Sequence, residues 1–281
     1  MATPVSPSAK HPGFLFAALR VFDLSLSEML WSRRTIFMAL VTGVPVLLAL
    51  IVRGAQALGA GNIHVNNMTV NGPAIFGLMI WAFYLRFTIP VLGAFYGTAL
   101  IADEVEDKTI TYLFTRPVPR SAVLVGKYLA YLMCTLLVVL PSVVVVWLLV
   151  TPLGGSLGQN FPDLLKDLLI LGAGLIVYGA LFALIGSLFK RPLMVGLVFV
   201  FGFEPAVLIF PGYLKRFTVA YYLQGLVPQA MPNDSVVSLV QSIFRETPTL
   251  GTALVALSAL TAGCLWWAGR TVTNKEYVLE Q

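Results

Sequence analysis

Long stretches without charge constrain this chain more than any other feature. Residues 128–150 are mostly apolar and contain no Asp, Glu, Lys or Arg. About 20 such residues in a helix cross the hydrocarbon core of a bilayer. Because lipid offers the backbone no hydrogen-bond partner, only helices and closed barrels cross it. The apolar positions run continuously instead of alternating, which predicts helices and an all-α integral membrane protein.

The composition excludes several other classes of protein. Hydrophobic residues make up 58% of the 281-residue chain and charged residues 11%, whereas soluble domains have roughly 45–50% and 25%. An ordinary soluble enzyme, a disordered protein and a disulfide scaffold are therefore excluded. The net charge is +5, but no basic stripe interleaved with aromatic residues indicates nucleic-acid binding. Cys134 and Cys264 lie in apolar runs and are predicted to be buried free thiols.

The pattern of charge-free runs predicts six spans within a transmembrane domain of residues 35–270. Residues 1–34 precede this domain and residues 271–281 follow it as a tail. Lys and Arg are concentrated about two to one on the side that holds both termini, which places that side in the cytoplasm. The predicted spans are residues 35–52, 74–102, 128–150, 168–189, 193–210 and 251–269.

Two segments outside the spans have helical patterns of their own. Residues 14–31 place apolar side chains at helical spacing with charged residues between them. This predicts an amphipathic helix on the cytoplasmic membrane surface, and the alternative is an N-terminal extension of the first span. Residues 211–250 form the longest predicted exterior stretch, in which tyrosines and nearby basic residues indicate a short interfacial helix.

The segment between the second and third spans is the most informative part of the sequence. It begins with an acidic cluster, Asp103, Glu104, Glu106 and Asp107. A short amphipathic run over residues 109–115 follows, and the prolines within residues 116–120 end it. A second short helix then leads through residue 127 into the third span.

This segment resembles the cytoplasmic coupling loop of the ABC-2 type permeases, the membrane subunits of ATP-binding-cassette exporters. The family pattern is Glu-x-x-x-Gly-Thr, a short apolar helix, (Ser/Thr)-x-Pro-x-x-Arg and a Gly-Lys pair that opens the next span. Lys108 stands where the family usually has Gly. The span layout and a Glu in the fifth span extend the resemblance to nearly the whole chain. The matching residues are Glu104, Thr109, Thr115, Pro117, Arg120, Gly126 and Lys127.

The resemblance implies a permease subunit of an exporter in the bacterial inner membrane, with both termini cytoplasmic. It implies two copies of an ATP-binding subunit, which would bind ATP and Mg, and a second copy of this permease or a similar one. A cytoplasmic coupling helix between spans 2 and 3 would meet the ATP-binding subunit. The alternative is that its charges only anchor span ends at the lipid headgroups. The implied coupling residues are Glu104, Glu106, Asp107, Lys108, Thr109, Leu113, Arg116, Pro117, Arg120 and Lys127.

The sequence gives the chain no ATPase motif. A P-loop requires Gly-x-x-x-x-Gly-Lys-(Ser/Thr), but Gly126-Lys127 is followed by Tyr128, and Ser121 stands at the position of the first Gly. We therefore expect no enzyme activity and no cofactor in the chain itself, with ATP hydrolysed by the partner.

The sequence also bears on three other classes of function. An intramembrane enzyme is disfavoured because the two histidines lie in the N-terminal tail and an exterior loop. An ion-coupled carrier usually has repeated halves, and the sequence has no internal repeat. An ABC-type membrane subunit that drives a mechanical or regulatory process without export remains an alternative.

Arg86 and Glu204 are the ionisable residues placed well inside predicted spans. On insertion scales a charged residue at the centre of a membrane helix costs about 2.5–3.5 kcal/mol, so such residues usually face a water path, a bundle interior or a partner. We predict that the two line the translocation path or pair with each other. The alternative is that Arg86 reaches the outer interface and Glu204 marks a helix break beside Pro205.

Overall fold

The computed structural model describes residues 13–58, 64–65, 68–69, 71–106, 120–209, 215–216, 218–227 and 248–274. These residues are almost entirely helical, which confirms the predicted all-α membrane fold. Among them, five helices are long and apolar enough to cross a membrane, and a sixth apolar helix, Pro192–Val207, is shorter. Six spans therefore remain a prediction. The five helices are Arg34–Ala57, Gly72–Asp103, Ser121–Val150, Leu157–Leu188 and Leu250–Asn274.

The N-terminal segment forms a helix separate from the first span. Helix α1 (Phe14–Leu30) ends before α2 (Arg33–Ala57) begins. Between them Ser32 takes an extended backbone conformation, with φ −82° and ψ 158°. The Thr35 hydroxyl donates to the carbonyl of Met29 at 2.5 Å and joins the two helices at this break. The chain then reaches an antiparallel hairpin of two short strands, β1 (His64–Val65) and β2 (Met68–Thr69), in which His64 pairs with Thr69.

Residues 72–106 form one helix whose winding changes along its length, and we call it the interrupted helix. Pro90 has no N–H to donate to the carbonyl of Arg86, which disturbs the α-helical hydrogen-bond ladder there. Single-turn π-helical segments occur where such a ladder is disturbed, frequently at functional sites. The order is α3 (Gly72–Met79), a π-helical segment (Ile80–Thr88), α4 (Ile89–Leu92), a second π-helical segment (Gly93–Gly97) and α5 (Thr98–Glu106).

The remaining helices pack around a central one. Helix α7 (Leu157–Leu188) contacts the interrupted helix, α6 (Arg120–Val150), α8 (Pro192–Val198) and α11 (Leu250–Asn274) and is the most buried of the long helices. A turn at residues 151–155 joins α6 to α7, and Gly154 adopts a positive φ of 85° there. The helices are α6 (Arg120–Val150), α7 (Leu157–Leu188), α8 (Pro192–Val198), a third π-helical segment (Phe199–Phe203), α9 (Glu204–Ile209), α10 (Val219–Gln224) and α11 (Leu250–Asn274).

Helix α10 is buried, whereas the sequence predicted an interfacial helix in this region. Leu223 is 1% exposed, and its Cδ1 atom lies 3.2 Å from where a Cβ on Gly174 would stand. The chain after α9 therefore turns back against α7. The missing side chain of Gly174 leaves the space that this return needs.

Small residues let the backbones of α7 and its neighbours approach closely, as is common between membrane helices. A Cβ on Gly186 would stand 2.5 Å from the carbonyl oxygen of Thr98 in α5. A Cβ on Gly179 would meet the ring of Tyr131 in α6. Cys134 and Cys264 are free and buried, as predicted.

Gly186→Ala should destabilise the fold, because backbone atoms of α5 occupy the position of the new methyl group. We expect a loss of about 1–3 kcal/mol, the usual cost of overpacking. Gly172→Ala in the same helix is the matched control, since its Cβ would meet only Leu136 Cδ2 at 3.8 Å. The control should be neutral or stabilising by up to about 1 kcal/mol. Thermal unfolding of the purified variants measures both, and equal effects would contradict the packing described for Gly186.

Candidate functional site

Glu204 forms a buried clamp between three parts of the chain. Its side chain is 4% exposed at the start of α9. Its Oε1 atom accepts hydrogen bonds from the hydroxyl of Tyr178 in α7, at 2.5 Å, and from the backbone N–H of Ala220 in α10, at 3.0 Å. Hydrogen bonds to a carboxylate are among the strong ones. The clamp therefore offsets part of the cost of burying this side chain and fixes the returning segment against α7.

Arg86 lies near this clamp in the first π-helical segment, and its side chain is partly exposed. Its charge interacts with that of Glu204, but none of the described residues forms a direct ion pair with it. The guanidinium carbon stands 5.3 Å from the ring centre of Trp81, a cation–π contact. The Nε atom is buried and has no hydrogen-bond partner in the described part of the chain.

The predicted residues Arg86 and Glu204 are thus brought into electrostatic contact across the interrupted helix and α9. The same two parts of the chain also meet through an aromatic contact, in which the ring centres of Phe87 and Phe201 are 6.3 Å apart. Helical winding continues through Pro205, so no break occurs beside Glu204. Whether either residue lines a translocation path remains a prediction.

Several polar residues of this region were not found from the sequence. Tyr178 lies in an apolar run that resembles any other, although a buried Tyr hydroxyl usually has a partner. Tyr84 and Ser142 share a hydrogen bond of 3.0 Å between the interrupted helix and α6. Asp167 is fully buried in α7, just outside the predicted fourth span. Asp163 lies four residues earlier on the same side of the helix, is partly exposed and pairs with Lys166 at 3.1 Å, so the spacing gave no signal that Asp167 is buried.

A second region of interest lies at the end of the bundle where α5 ends and α6 begins. Arg34, at the start of α2, forms an ion pair with Asp103 near the end of α5. Helix α1 packs on the beginning of α6 through Ala17 and Ala18, which contact Ala122. The ends of the interrupted helix and of α6 are therefore tied to the N-terminal part of the chain at one end of the bundle.

Gly126 permits the close contact between α1 and α6. A Cβ at this position would stand 2.6 Å from the carbonyl oxygen of Ala18 and 2.9 Å from Cβ of Val21. Lys127 follows in α6 with a half-buried side chain. The Gly-Lys pair that the sequence analysis singled out therefore lies where α1 crosses α6.

Most of the predicted coupling residues lie outside what the structure describes. The whole stretch 107–119 is outside the described residues, which includes Asp107, Lys108 and Thr109. Glu104 and Glu106 belong to α5 and Arg120 begins α6, but their side chains are not described. The remaining predicted coupling residues outside the described part are Leu113, Arg116 and Pro117.

Together, several membrane-length helices and polar residues held inside them define a multi-pass membrane protein. A family model described as ABC-2 family transporter protein matches residues 17–272. The match covers most of the chain, and the chain therefore belongs to the ABC-2 transporter family, whose members are membrane components of ABC transporters. This confirms the resemblance noted in the sequence and implies an ABC ATP-binding partner. No curated protein matches the chain.

Tyr178→Phe should weaken the clamp, because it removes a donor from a buried carboxylate. We expect a loss of about 1.5–3 kcal/mol, as for hydrogen bonds to charged groups. Tyr131→Phe is the matched control: both tyrosines are fully buried, but Tyr131 donates to a neutral carbonyl, that of Leu175, at 3.1 Å. The control should cost about 0.5–1.5 kcal/mol. Chemical unfolding in detergent compares them, and a larger loss for Tyr131→Phe would contradict the clamp.

Proposed function

We propose that this chain is the permease subunit of an ABC exporter of the bacterial inner membrane. It crosses the membrane six times with both termini in the cytoplasm, and α1 lies at the cytoplasmic surface. Its family supports the transport role, and the excess of basic residues on the side of the membrane that holds both termini supports the orientation.

The chain is moved by a separate ATPase that docks on residues 104–127. Two ATP-binding subunits hold the ATP and Mg and hydrolyse the nucleotide, and a second permease copy or a similar permease completes the assembly. The observation that carries this proposal is the tethering of the two ends of this segment. The interrupted helix and α6 border it, α1 crosses α6 at Gly126, and α2 is paired to Asp103 through Arg34.

Movement of the segment would therefore reach four helices at once. The interrupted helix continues from this end to Arg86, whose charge interacts with that of Glu204. Because packed helices move as rigid elements, displacement at the cytoplasmic end changes the contact between Arg86 and α9 in the middle of the membrane. This region lines the translocation path in our proposal.

The double variant Glu106→Lys with Asp107→Lys should no longer bind the partner ATPase. Reversing two charges at a charged docking site should weaken binding by about tenfold or more. Added lysines on the cytoplasmic side favour the same topology, so misinsertion does not explain a loss. The measurement is the amount of ABC ATPase that copurifies with the full-length chain from native membranes.

Glu276→Lys with Glu280→Lys is the matched control, because it makes the same charge change in the tail at residues 271–281. This control should retain the ATPase. Equal retention by both double variants would contradict docking on the predicted segment. Normal ATPase binding with no substrate-stimulated ATP hydrolysis in proteoliposomes would favour the mechanical or regulatory role over export.

A further inference from the structure

Arg86 lies near the middle of the Gly72–Asp103 helix, and no described residue uses its donors. It is roughly 20 Å from the nearer end of that helix at 1.5 Å per residue. In the proposed topology it therefore lies inside the hydrocarbon core, which is roughly 30 Å thick. An arginine so placed is expensive, and its guanidinium offers five N–H donors. Among the described residues, none accepts a hydrogen bond from it, and its Nε atom is buried and unpaired.

Glu204 attracts Arg86 but does not use these donors. The carboxylate is 4% exposed, and its Oε1 atom is occupied by Tyr178 and by the N–H of Ala220. Its negative charge reduces the cost of holding Arg86 in the membrane while leaving the guanidinium free to bind another group. A hydrogen-bond acceptor for the Arg86 guanidinium must therefore come from outside the described part of the chain.

Exposed aromatic residues lie close to Arg86 along the chain and in the neighbouring segment. Phe87, the next residue, is 37% exposed, and its ring centre lies 6.3 Å from that of Phe201, which is 56% exposed, with the two rings tilted by 52°. Trp81 covers one side of the guanidinium. A ligand that placed an anionic group at Arg86 would therefore lay its apolar part against these rings.

We propose that Arg86 binds the carboxylate or phosphate group of an anionic amphiphile, which is the cargo class of this permease. The assignment of this ligand as cargo rests on the proposed function, whereas the binding site stands by itself. A fork of guanidinium donors matches the two oxygens of a carboxylate or phosphate. The aromatic surface takes the apolar chain, and the nearby Glu204 carboxylate repels any negative charge beyond the one that Arg86 neutralises. One anionic group per ligand therefore fits the site best.

Quenching of Trp81 fluorescence by a brominated ligand tests the site directly. The full-length chain, with its other four tryptophans replaced by Phe, is placed in phosphatidylcholine nanodiscs. It is titrated with a dibrominated stearic acid and, separately, with the methyl ester of that acid. Empty nanodiscs give the partitioning of each compound into lipid. The acid should quench Trp81 fluorescence in the parent protein at a concentration at least about tenfold lower than in the Arg86→Gln variant. The reason is that hydrogen bonds between oppositely charged groups are strong.

Three comparisons decide the outcome. The methyl ester should quench the parent and Arg86→Gln equally, and Arg86→Lys should retain part of the preference for the acid. Arg53→Gln is the matched control, since Arg53 is an exposed arginine near the end of α2, and it should behave as the parent. Equal quenching by the acid in the parent and in Arg86→Gln would overturn the proposal.

Competition in the parent protein keeps the proposal testable if Arg86→Gln does not fold. Dodecyl phosphate should restore Trp81 fluorescence, whereas dodecyltrimethylammonium should not. Equal restoration by both, or by neither, would overturn anion binding. Competition by phosphatidylglycerol in the nanodisc would identify a membrane lipid as the source of the anionic group, and its absence would identify a free amphiphile. The assay uses neither ATPase nor transport, so its failure is distinct from failure of the proposed function.

Discussion

Lipid does not hydrogen-bond to a peptide group, and the structure of this chain depends on that constraint. The long helices form their backbone hydrogen bonds internally, and their hydroxyl side chains donate hydrogen bonds to carbonyl groups of the preceding turn. Thr42 donates to the carbonyl of Met38 and Thr135 to that of Tyr131, both at 2.8 Å. The regular pattern changes at the π-helical segments. Arg86 lies in the first of them and Glu204 directly follows the third, so two of the three described departures from α-helical winding occur at the charged residues.

The family of the chain implies an ABC ATP-binding partner. In our proposal that partner applies force from outside the lipid, at a place joined to several helices. The end of the bundle around Arg34, Asp103 and Gly126 provides such a place. From there the interrupted helix leads to the polar cluster around Glu204.

The sequence predicted the fold well because its strongest signal, absence of charge over a membrane thickness, is local. It also identified Arg86 and Glu204, since isolated charges are conspicuous in apolar runs. The burial of α10 against Gly174 was not predicted, because a tyrosine-rich segment has the same composition at an interface and in a core. The role of Tyr178 was missed for a related reason. A hydrogen bond between residues 178 and 204 depends on how two helices are rotated, which neither helix's own pattern specifies.

The central claim is that a nucleotide-hydrolysing partner binds the segment between the interrupted helix and α6. Site-specific photo-crosslinking tests it most directly, with a benzophenone amino acid in place of Leu113 in the full-length chain in intact cells. Mass spectrometry then identifies the captured protein. The account predicts an ABC ATPase, captured from the cytoplasmic side, with its yield changing when nucleotide is trapped. Crosslinks only to lipid, or to proteins outside the cytoplasm, would contradict it.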